Sequence, residues 1–156
     1  MNDSRFAQVI EAARKGGAVV KAYFGSELEA KEKSHTSDVI TRADLESEEA
    51  VLQALASAFP EANVLSEEEG FIDRHSQYTF VVDPLDGSNN FILGIPNFSV
   101  SIGLLKEDKV VFGVVHAPML DRTYLASKDK GAFLNDKRIS VNRNSDARRA
   151  SLSSTQ

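Results

Sequence analysis

The first sixty residues contain two stretches in which apolar residues recur with the period of an α-helix. In residues 5–24 the apolar residues of one helical face are Phe6, Val9, Ile10, Ala13, Val20 and Phe24. Gly25 follows this stretch and can end the helix. From about Arg42 to Phe59, one side carries Leu45, Leu52, Leu55, Ala56 and Phe59, and Pro60 lies just beyond. The pattern therefore predicts two helices in the N-terminal part of the chain.

After Pro60 the hydrophobic period changes to that of extended chain. The candidate strands are residues 63–66, 78–83, 97–105, 109–116 and 121–126, with shorter pieces at 131–134 and 138–141. Asp108 and Asn135-Asp136 are typical of hairpin turns between them. Two helices followed by a run of strands predict an α+β fold or a layered α/β arrangement. We expect one domain over residues 1–141, and a loop or frayed end over 142–156, which lacks periodicity.

Composition narrows the class of protein. The chain has 156 residues, a net charge of −5 and no cysteine, so neither disulfide bonds nor thiolate metal sites are expected. No apolar run is long enough to span a membrane, and the first residues lack the pattern of a secretion signal. We therefore expect a cytoplasmic protein without a membrane partner.

The charge is distributed unevenly along the chain. Between Asp38 and Asp86 there are 12 acidic residues against two arginines and no lysine. Such a density favours metal binding or simple solvation, and it argues against a nucleic-acid surface there. The basic residues near the C-terminus are read as solvated surface; they are Lys137, Arg138, Arg143, Arg148 and Arg149.

One segment near the middle of the chain combines two carboxylates with turn-forming residues. It reads Val81-Val82-Asp83-Pro84-Leu85-Asp86-Gly87-Ser88-Asn89-Asn90-Phe91-Ile92. A strand ending at Asp83 would present that carboxylate at a sheet edge, and Pro84 should turn the chain out of the sheet. The Leu85 carbonyl and the Asp86 carboxylate could then join Asp83 around a hard cation such as Mg²⁺.

The residues after Asp86 favour phosphate binding. Gly87 permits a positive φ, and Ser88 would bring a hydroxyl group close to the cation. The backbone N–H groups of Gly87, Ser88 and Asn89 could bind phosphate, more so if they open a helix. Ordinary turn chemistry explains Asp-Pro-x-Asp-Gly equally well when it stands alone.

Two further acidic segments precede this one. Glu67, Glu68 and Glu69 follow a short apolar strand, and three consecutive glutamates are usually solvated surface. Asp44 lies near the start of the second helix, where Thr41-x-x-Asp44 has the spacing of a capping box. Neither segment indicates a site without its neighbours.

Taken together, these motifs resemble the inositol monophosphatase family of Mg²⁺-dependent, Li⁺-sensitive phosphatases. The resemblance extends from about residue 5 to residue 141, and it includes Ile95-Pro96-Asn97-Phe98-Ser99 and Lys130-Gly131-Ala132-Phe133. It implies a layered α-β sandwich of the sugar phosphatase type, with two N-terminal helices and a mostly antiparallel sheet. It also implies a small phosphate ester as the substrate and a homodimer.

The resemblance implies a role for each candidate residue. Glu67, Asp83 and the Leu85 carbonyl would hold one Mg²⁺, and Asp83 and Asp86 would share a second. Asp44 would accept a hydrogen bond from Ser88, and this pair would orient the attacking water, with Glu67 also in the catalytic set. Glu68 matches a second, less direct family glutamate.

The sequence departs from the family pattern in its second half. The Trp-Asp motif that supplies a further metal-binding aspartate has no counterpart, and the chain has no tryptophan. We therefore expect the N-terminal half of such a phosphatase, with the C-terminal α/β half absent and weak or no activity in this chain alone. The alternative is a non-catalytic metal-binding or interaction module. Inositol-1-phosphate is the default substrate, with fructose-1,6-bisphosphate, NADP⁺ and 3′-phosphoadenosine 5′-phosphate as alternatives.

Overall fold

The fold of the chain is an eight-stranded, mostly antiparallel sheet with two long helices. A computed structural model describes residues 3–25, 31–32, 39–40 and 42–142. The helices are α1 (Asp3–Tyr23), α2 (Arg42–Ala58) and α3 (Ser88–Ile92). The strands are β1 (Lys31–Glu32), β2 (Val39–Ile40), β3 (Asn63–Ser66), β4 (Gly70–Ile72), β5 (Tyr78–Asp86), β6 (Ser99–Lys106), β7 (Lys109–Ala117), β8 (Arg122–Ser127), β9 (Gly131–Leu134) and β10 (Lys137–Ile139).

The strand order of the large sheet is β10-β9-β8-β7-β6-β5-β3-β4. From β5 to β10 the chain forms a meander of antiparallel neighbours, whereas β3 runs parallel to β5. β1 and β2 form a separate two-stranded ladder. The predicted α+β architecture, with two helices ahead of a mostly antiparallel sheet, is confirmed.

The two long helices pack against each other and cover one face of the sheet. α1 contacts β5, β6 and β7, and α2 contacts β5. Phe6 of α1 stacks on Phe112 of β7 with ring centroids 4.4 Å apart. Phe59, just after α2, meets Phe80 of β5 edge to face at 5.0 Å. These aromatic contacts belong to the buried core between helices and sheet.

The apolar face predicted for α1 is confirmed, whereas the face predicted for α2 is partly wrong. Val9, Ala13 and Val20 are fully buried. In α2, Leu45 is 48% exposed, and the buried side carries polar residues as well as apolar ones. The buried residues of α2 are Ala43, Asp44, Ser47, Glu48, Val51 and Leu55. The prediction failed in part because it placed the face from the apolar residues alone.

The predicted strands agree with those of the large sheet to within a few residues, whereas β1, β2, β4 and α3 were not predicted. β4 and α3 are too short to produce a periodic signal. β5 also continues past Asp83 to Asp86, so Pro84 does not turn the chain out of the sheet as predicted. The hairpin turns at Asp108 and Asn135-Asp136 are confirmed, because all three residues have positive φ.

Several predictions lie outside the described residues. They concern Thr41 of the suggested capping box, Arg143, Arg148 and Arg149 of the basic tail, and the end proposed for 142–156 beyond residue 142. Within the part of the chain that the structure describes, no helix is both long and apolar enough to cross a membrane.

Candidate metal and phosphate site

Two neighbouring parallel strands place acidic residues side by side at one edge of the sheet. Ser66 of β3 is paired with Val82 of β5. The residues that follow this pair are Glu67 and Asp83. Because the strands run in the same direction, Glu67 follows the end of β3 beside Asp83, which lies three residues before the end of β5. Both carboxylates are thus near the carboxyl ends of adjacent strands, where open sheets bind ligands.

The last residues of β5 bring Asp86 to the same region. Asp83 is paired with Ser101 of β6 and Asp86 with Ser99, with an irregularity in the register between them. The Leu85 backbone N–H donates a hydrogen bond of 3.2 Å to Asp83 Oδ1. The Ser99 hydroxyl lies 3.5 Å from Asp86 Oδ2. Because of this shift in register, Asp83 and Asp86 both lie near the end of β5, and the chain remains in the sheet between them. The role of the Leu85 carbonyl stays a prediction.

Gly87 occupies a position that no other residue fits well. Its φ is 91°, in the left-handed region. A Cβ added there would lie 3.0 Å from the Asn97 carbonyl oxygen and 3.3 Å from Phe98 Cα. The sequence prediction that this glycine adopts a positive φ is confirmed, and a short helix that was not predicted, α3, begins at the next residue, Ser88. Ser88 is half-buried and Asn89 is exposed, and phosphate binding by this segment stays a prediction.

Asp44 is a buried carboxyl group close to other acidic residues. It lies in the first turn of α2 and is 5% exposed. Burial above all, and then the negative charges of Glu67, Glu68, Asp83 and Glu48, together raise its pKa to about 7. The predicted hydrogen bond from Ser88 to Asp44 stays a prediction.

Asp83 is affected in the same direction. Its pKa is raised to about 6, chiefly by burial and then by the charges of Asp86 and Glu67. The Leu85 N–H lowers the pKa in part, because it stabilises the charged form. Asp44, Glu67, Asp83 and Asp86 therefore lie close enough to influence one another. The structure brings together the four carboxylates that the sequence singled out.

The chemistry of these residues fits a hard divalent cation. The donors are carboxylate oxygens, and their mutual repulsion is the effect that a bound cation would relieve. Among the described residues, however, no group of three or more histidine and acidic side chains is arranged to hold a metal ion. A cation here would need additional oxygen ligands, such as a backbone carbonyl or water.

Two polar residues of α2 that the sequence analysis missed connect these segments. The Ser47 hydroxyl donates a buried hydrogen bond of 2.9 Å to the Pro84 carbonyl oxygen. Glu48, 2% exposed, accepts hydrogen bonds from the Ser66 hydroxyl and from the backbone N–H groups of Glu68 and Glu69. Their signal in the sequence was spacing, since they follow Asp44 by three and four residues on one helical face.

Comparison with known proteins identifies the family. The model of the inositol monophosphatase family matches residues 1–156. The chain belongs to this family. Its motifs are thus those of a phosphatase family, as the resemblance implied.

Individual members of the inositol monophosphatase family align with most of the chain. A fructose-1,6-bisphosphatase/inositol-1-monophosphatase of Aquifex aeolicus is 37% identical over 142 residues, covering 90% of this chain and 54% of that protein. The Nus factor SuhB of Pasteurella multocida is 38% identical over 135 residues, covering 85% of this chain and 50% of that protein.

A solved structure in the same family supports the fold. The extragenic suppressor protein SuhB of Bartonella henselae superposes with a TM-score of 0.86 at 36% identity, covering 91% of this chain and 56% of that one. The chain thus spans about half the length of the relatives it matches.

Proposed function

We propose that this chain contributes the metal-binding half of a Mg²⁺-dependent phosphate monoester hydrolase, with inositol-1-phosphate as the first substrate to test. The observation that carries the proposal is the parallel register of β3 and β5, which sets Glu67 beside Asp83. The raised pKa values of Asp44 and Asp83 support it, because they are caused first by burial and then by the charges of neighbouring carboxylates. A relative named as both a fructose-1,6-bisphosphatase and an inositol-1-monophosphatase supports the substrate class.

Each residue has a proposed role. Glu67, Asp83, Asp86 and the Leu85 carbonyl would hold Mg²⁺, which when bound supplies positive charge to a phosphate group and acidifies water. Asp44 is positioned by burial near these carboxylates to hold a proton at about neutral pH, and Ser88 would provide the neighbouring hydroxyl.

The substrate phosphate is assigned to the segment after Asp86. The backbone N–H groups of Gly87, Ser88 and Asn89 would orient it, because a glycine with positive φ leaves this part of the backbone open to close approach. Fructose-1,6-bisphosphate, NADP⁺ and 3′-phosphoadenosine 5′-phosphate remain alternative substrates for the same site.

The test is phosphate release from inositol-1-phosphate, measured with and without Mg²⁺ and with added Li⁺, in parallel with calorimetric titration of Mg²⁺. We expect wild-type protein to bind Mg²⁺, and Asp83→Asn to abolish both binding and any release. Asp108→Asn is the matched control, because Asp108 lies in the β6–β7 turn with a positive φ that asparagine also tolerates. Absence of Mg²⁺ binding by wild type would refute the proposal.

A second candidate is a non-catalytic metal-binding or interaction module. It is favoured by the relative named as a Nus factor. Mg²⁺ binding without phosphate release from any of the four substrates fits both candidates, because weak or no activity is expected of this chain alone. Li⁺-inhibited, Mg²⁺-dependent release would favour the hydrolase.

A cytoplasmic location and a homodimer complete the proposal. The homodimer is supported by exposed apolar side chains on the sheet face opposite the helices, among them Val81, Val110 and Val115. Exposed apolar patches of this kind favour association. Small-molecule phosphate esters are the only other partners we propose.

A further inference from the structure

Two consecutive residues of α2 contact both segments that carry the candidate metal ligands. Ser47 reaches the last residues of β5, between Asp83 and Asp86, where its hydroxyl donates to the Pro84 carbonyl oxygen at 2.9 Å. Glu48 reaches the turn that begins with Glu67. Ser47 and Glu48 are fully or almost fully buried.

The contacts of Glu48 enclose Glu67 on both sides in the sequence. Glu48 Oε1 accepts from the Ser66 hydroxyl at 3.1 Å and from the Glu69 N–H at 2.9 Å. Glu48 Oε2 accepts from the Glu68 N–H at 3.2 Å. The residue before Glu67 and the two residues after it are therefore bonded to one buried carboxylate, while Glu67 itself is exposed.

A buried carboxylate is costly unless hydrogen bonds compensate for its lost hydration. Glu48 has three donors, two of them backbone groups of a turn that would otherwise need water. Because Ser47 is its neighbour on the helix, a single turn of α2 fixes the turn after β3 and the end of β5 relative to each other.

We propose that Ser47 and Glu48 are positioning residues, which set the separation of Glu67 from Asp83 and Asp86 before a cation binds. This inference rests on the proposed function, because it assumes that these three carboxylates are metal ligands. Groups that orient metal ligands from outside the first coordination sphere typically change metal affinity by ten- to a hundredfold.

The first experiment is calorimetric Mg²⁺ titration of the 156-residue chain and of Glu48→Gln. Glutamine keeps the size of the side chain but presents an NH₂ group to backbone donors, so the turn should shift. We expect the Mg²⁺ dissociation constant to rise by about ten- to a hundredfold. Glu49→Gln is the matched control, because it removes the same charge from an exposed position one residue along α2, and its dissociation constant should change by less than about twofold.

The Ser47 contact is tested with Ser47→Ala, for which we expect roughly a tenfold loss of Mg²⁺ affinity. Ser57→Ala is its control, because the exposed Ser57 hydroxyl donates only to Gln53 of its own helix, at 2.9 Å. Equal affinity of Glu48→Gln and wild type, or equal losses in Glu48→Gln and Glu49→Gln, would overturn the inference.

Amide hydrogen exchange of the metal-free protein separates positioning from general stability. In Glu48→Gln we expect faster exchange at the amides of Glu68 and Glu69, with unchanged exchange at Phe80 and Val82 in β5. In wild type the amides of Glu68 and Glu69 should be protected from exchange. If they exchange in wild type at the rate of an unstructured peptide, the inference is overturned, even if the variants fail to fold. If wild type binds no Mg²⁺, the proposed function and this inference both fail; if wild type binds it and Glu48→Gln binds equally, only the inference fails.

Discussion

At the scale of single residues, the site contains two carboxyl groups, Asp44 and Asp83, whose ionisation is made unfavourable by burial and by neighbouring negative charge. Asp44 is the clearest example, because its pKa is raised from 3.8 to about 7. The cause is burial first and neighbouring negative charge second. A folded protein that holds such a group loses stability when the group must ionise.

The metal-free protein should therefore become less stable as pH rises through the range from about 4 to 7. Between these values the folded state binds the Asp44 proton more tightly than the unfolded state does. The protonated carboxyl group therefore contributes to the free energy of unfolding in full below the unfolded pKa, and this contribution is lost as pH passes about 7. The contribution is roughly 4 kcal/mol at most. Asp44→Asn should remove it, so the variant should gain stability over wild type as pH rises.

The measurement is urea denaturation in the presence of a chelator at several pH values between 4.5 and 8. Glu49→Gln serves as the control, since its exposed carboxylate lies on the same helix. If the difference in the free energy of unfolding between wild type and Asp44→Asn does not vary with pH, the pKa of Asp44 is not raised in the folded state.

At the scale of elements, the sequence predicted the helices and strands, which depend on the period of apolar residues. It did not predict contacts between residues that are distant in the sequence. The buried face of α1 was predicted because its buried residues are apolar side chains and glycines. Glu48 was missed because a glutamate indicates solvent in any single sequence, and its three donors come from residues about twenty positions away. The sequence also could not show that Glu67 lies beside Asp83. This proximity depends on the parallel pairing of β3 with β5, which no local pattern reveals.

The contact between α1 and α2 leads to a prediction at Gly16. A Cβ at this position would lie 2.6 Å from Val51 Cγ2 and 2.8 Å from Ser47 Oγ. Gly→Ala in a helix ordinarily stabilises by up to about 1 kcal/mol, but overpacking here should reverse the sign. We expect Gly16→Ala to destabilise the protein by about 1–3 kcal/mol, measured by urea denaturation.

Val51→Ala provides the matching test, because it removes the nearer of the two obstructing groups. We expect the double variant Gly16→Ala/Val51→Ala to be more stable than the sum of the two single effects allows, by about 1 kcal/mol or more. Additive effects would mean that Val51 is not the group that obstructs the added methyl group. Gly16→Ala should also weaken Mg²⁺ binding, since it displaces the hydroxyl that holds Pro84.

At the scale of the whole molecule, the two faces of the sheet are in different environments. α1 and α2 cover one face, and the fully buried phenylalanines lie there. The opposite face has an apolar groove of about 690 Å³, lined by residues that include Val81, Leu105, Val115, Tyr124 and Phe133. Val81 and Val115 are 39% and 38% exposed. An open apolar surface of this kind is expected to be covered by another protein surface.

We expect a second copy of the chain to cover this face in solution. Val115→Lys should raise the dimer dissociation constant at least about tenfold. In the dimer the ammonium group would be buried without a partner, which is costly, whereas in the monomer it would be exposed to water. Leu120→Lys is the control, because Leu120 is 51% exposed in the turn between β7 and β8 and does not line the groove. Sedimentation velocity of wild type and both variants gives the answer. If wild type is a monomer even at about 100 micromolar, this face does not associate. If Val115→Lys and Leu120→Lys dissociate equally, another surface forms the dimer.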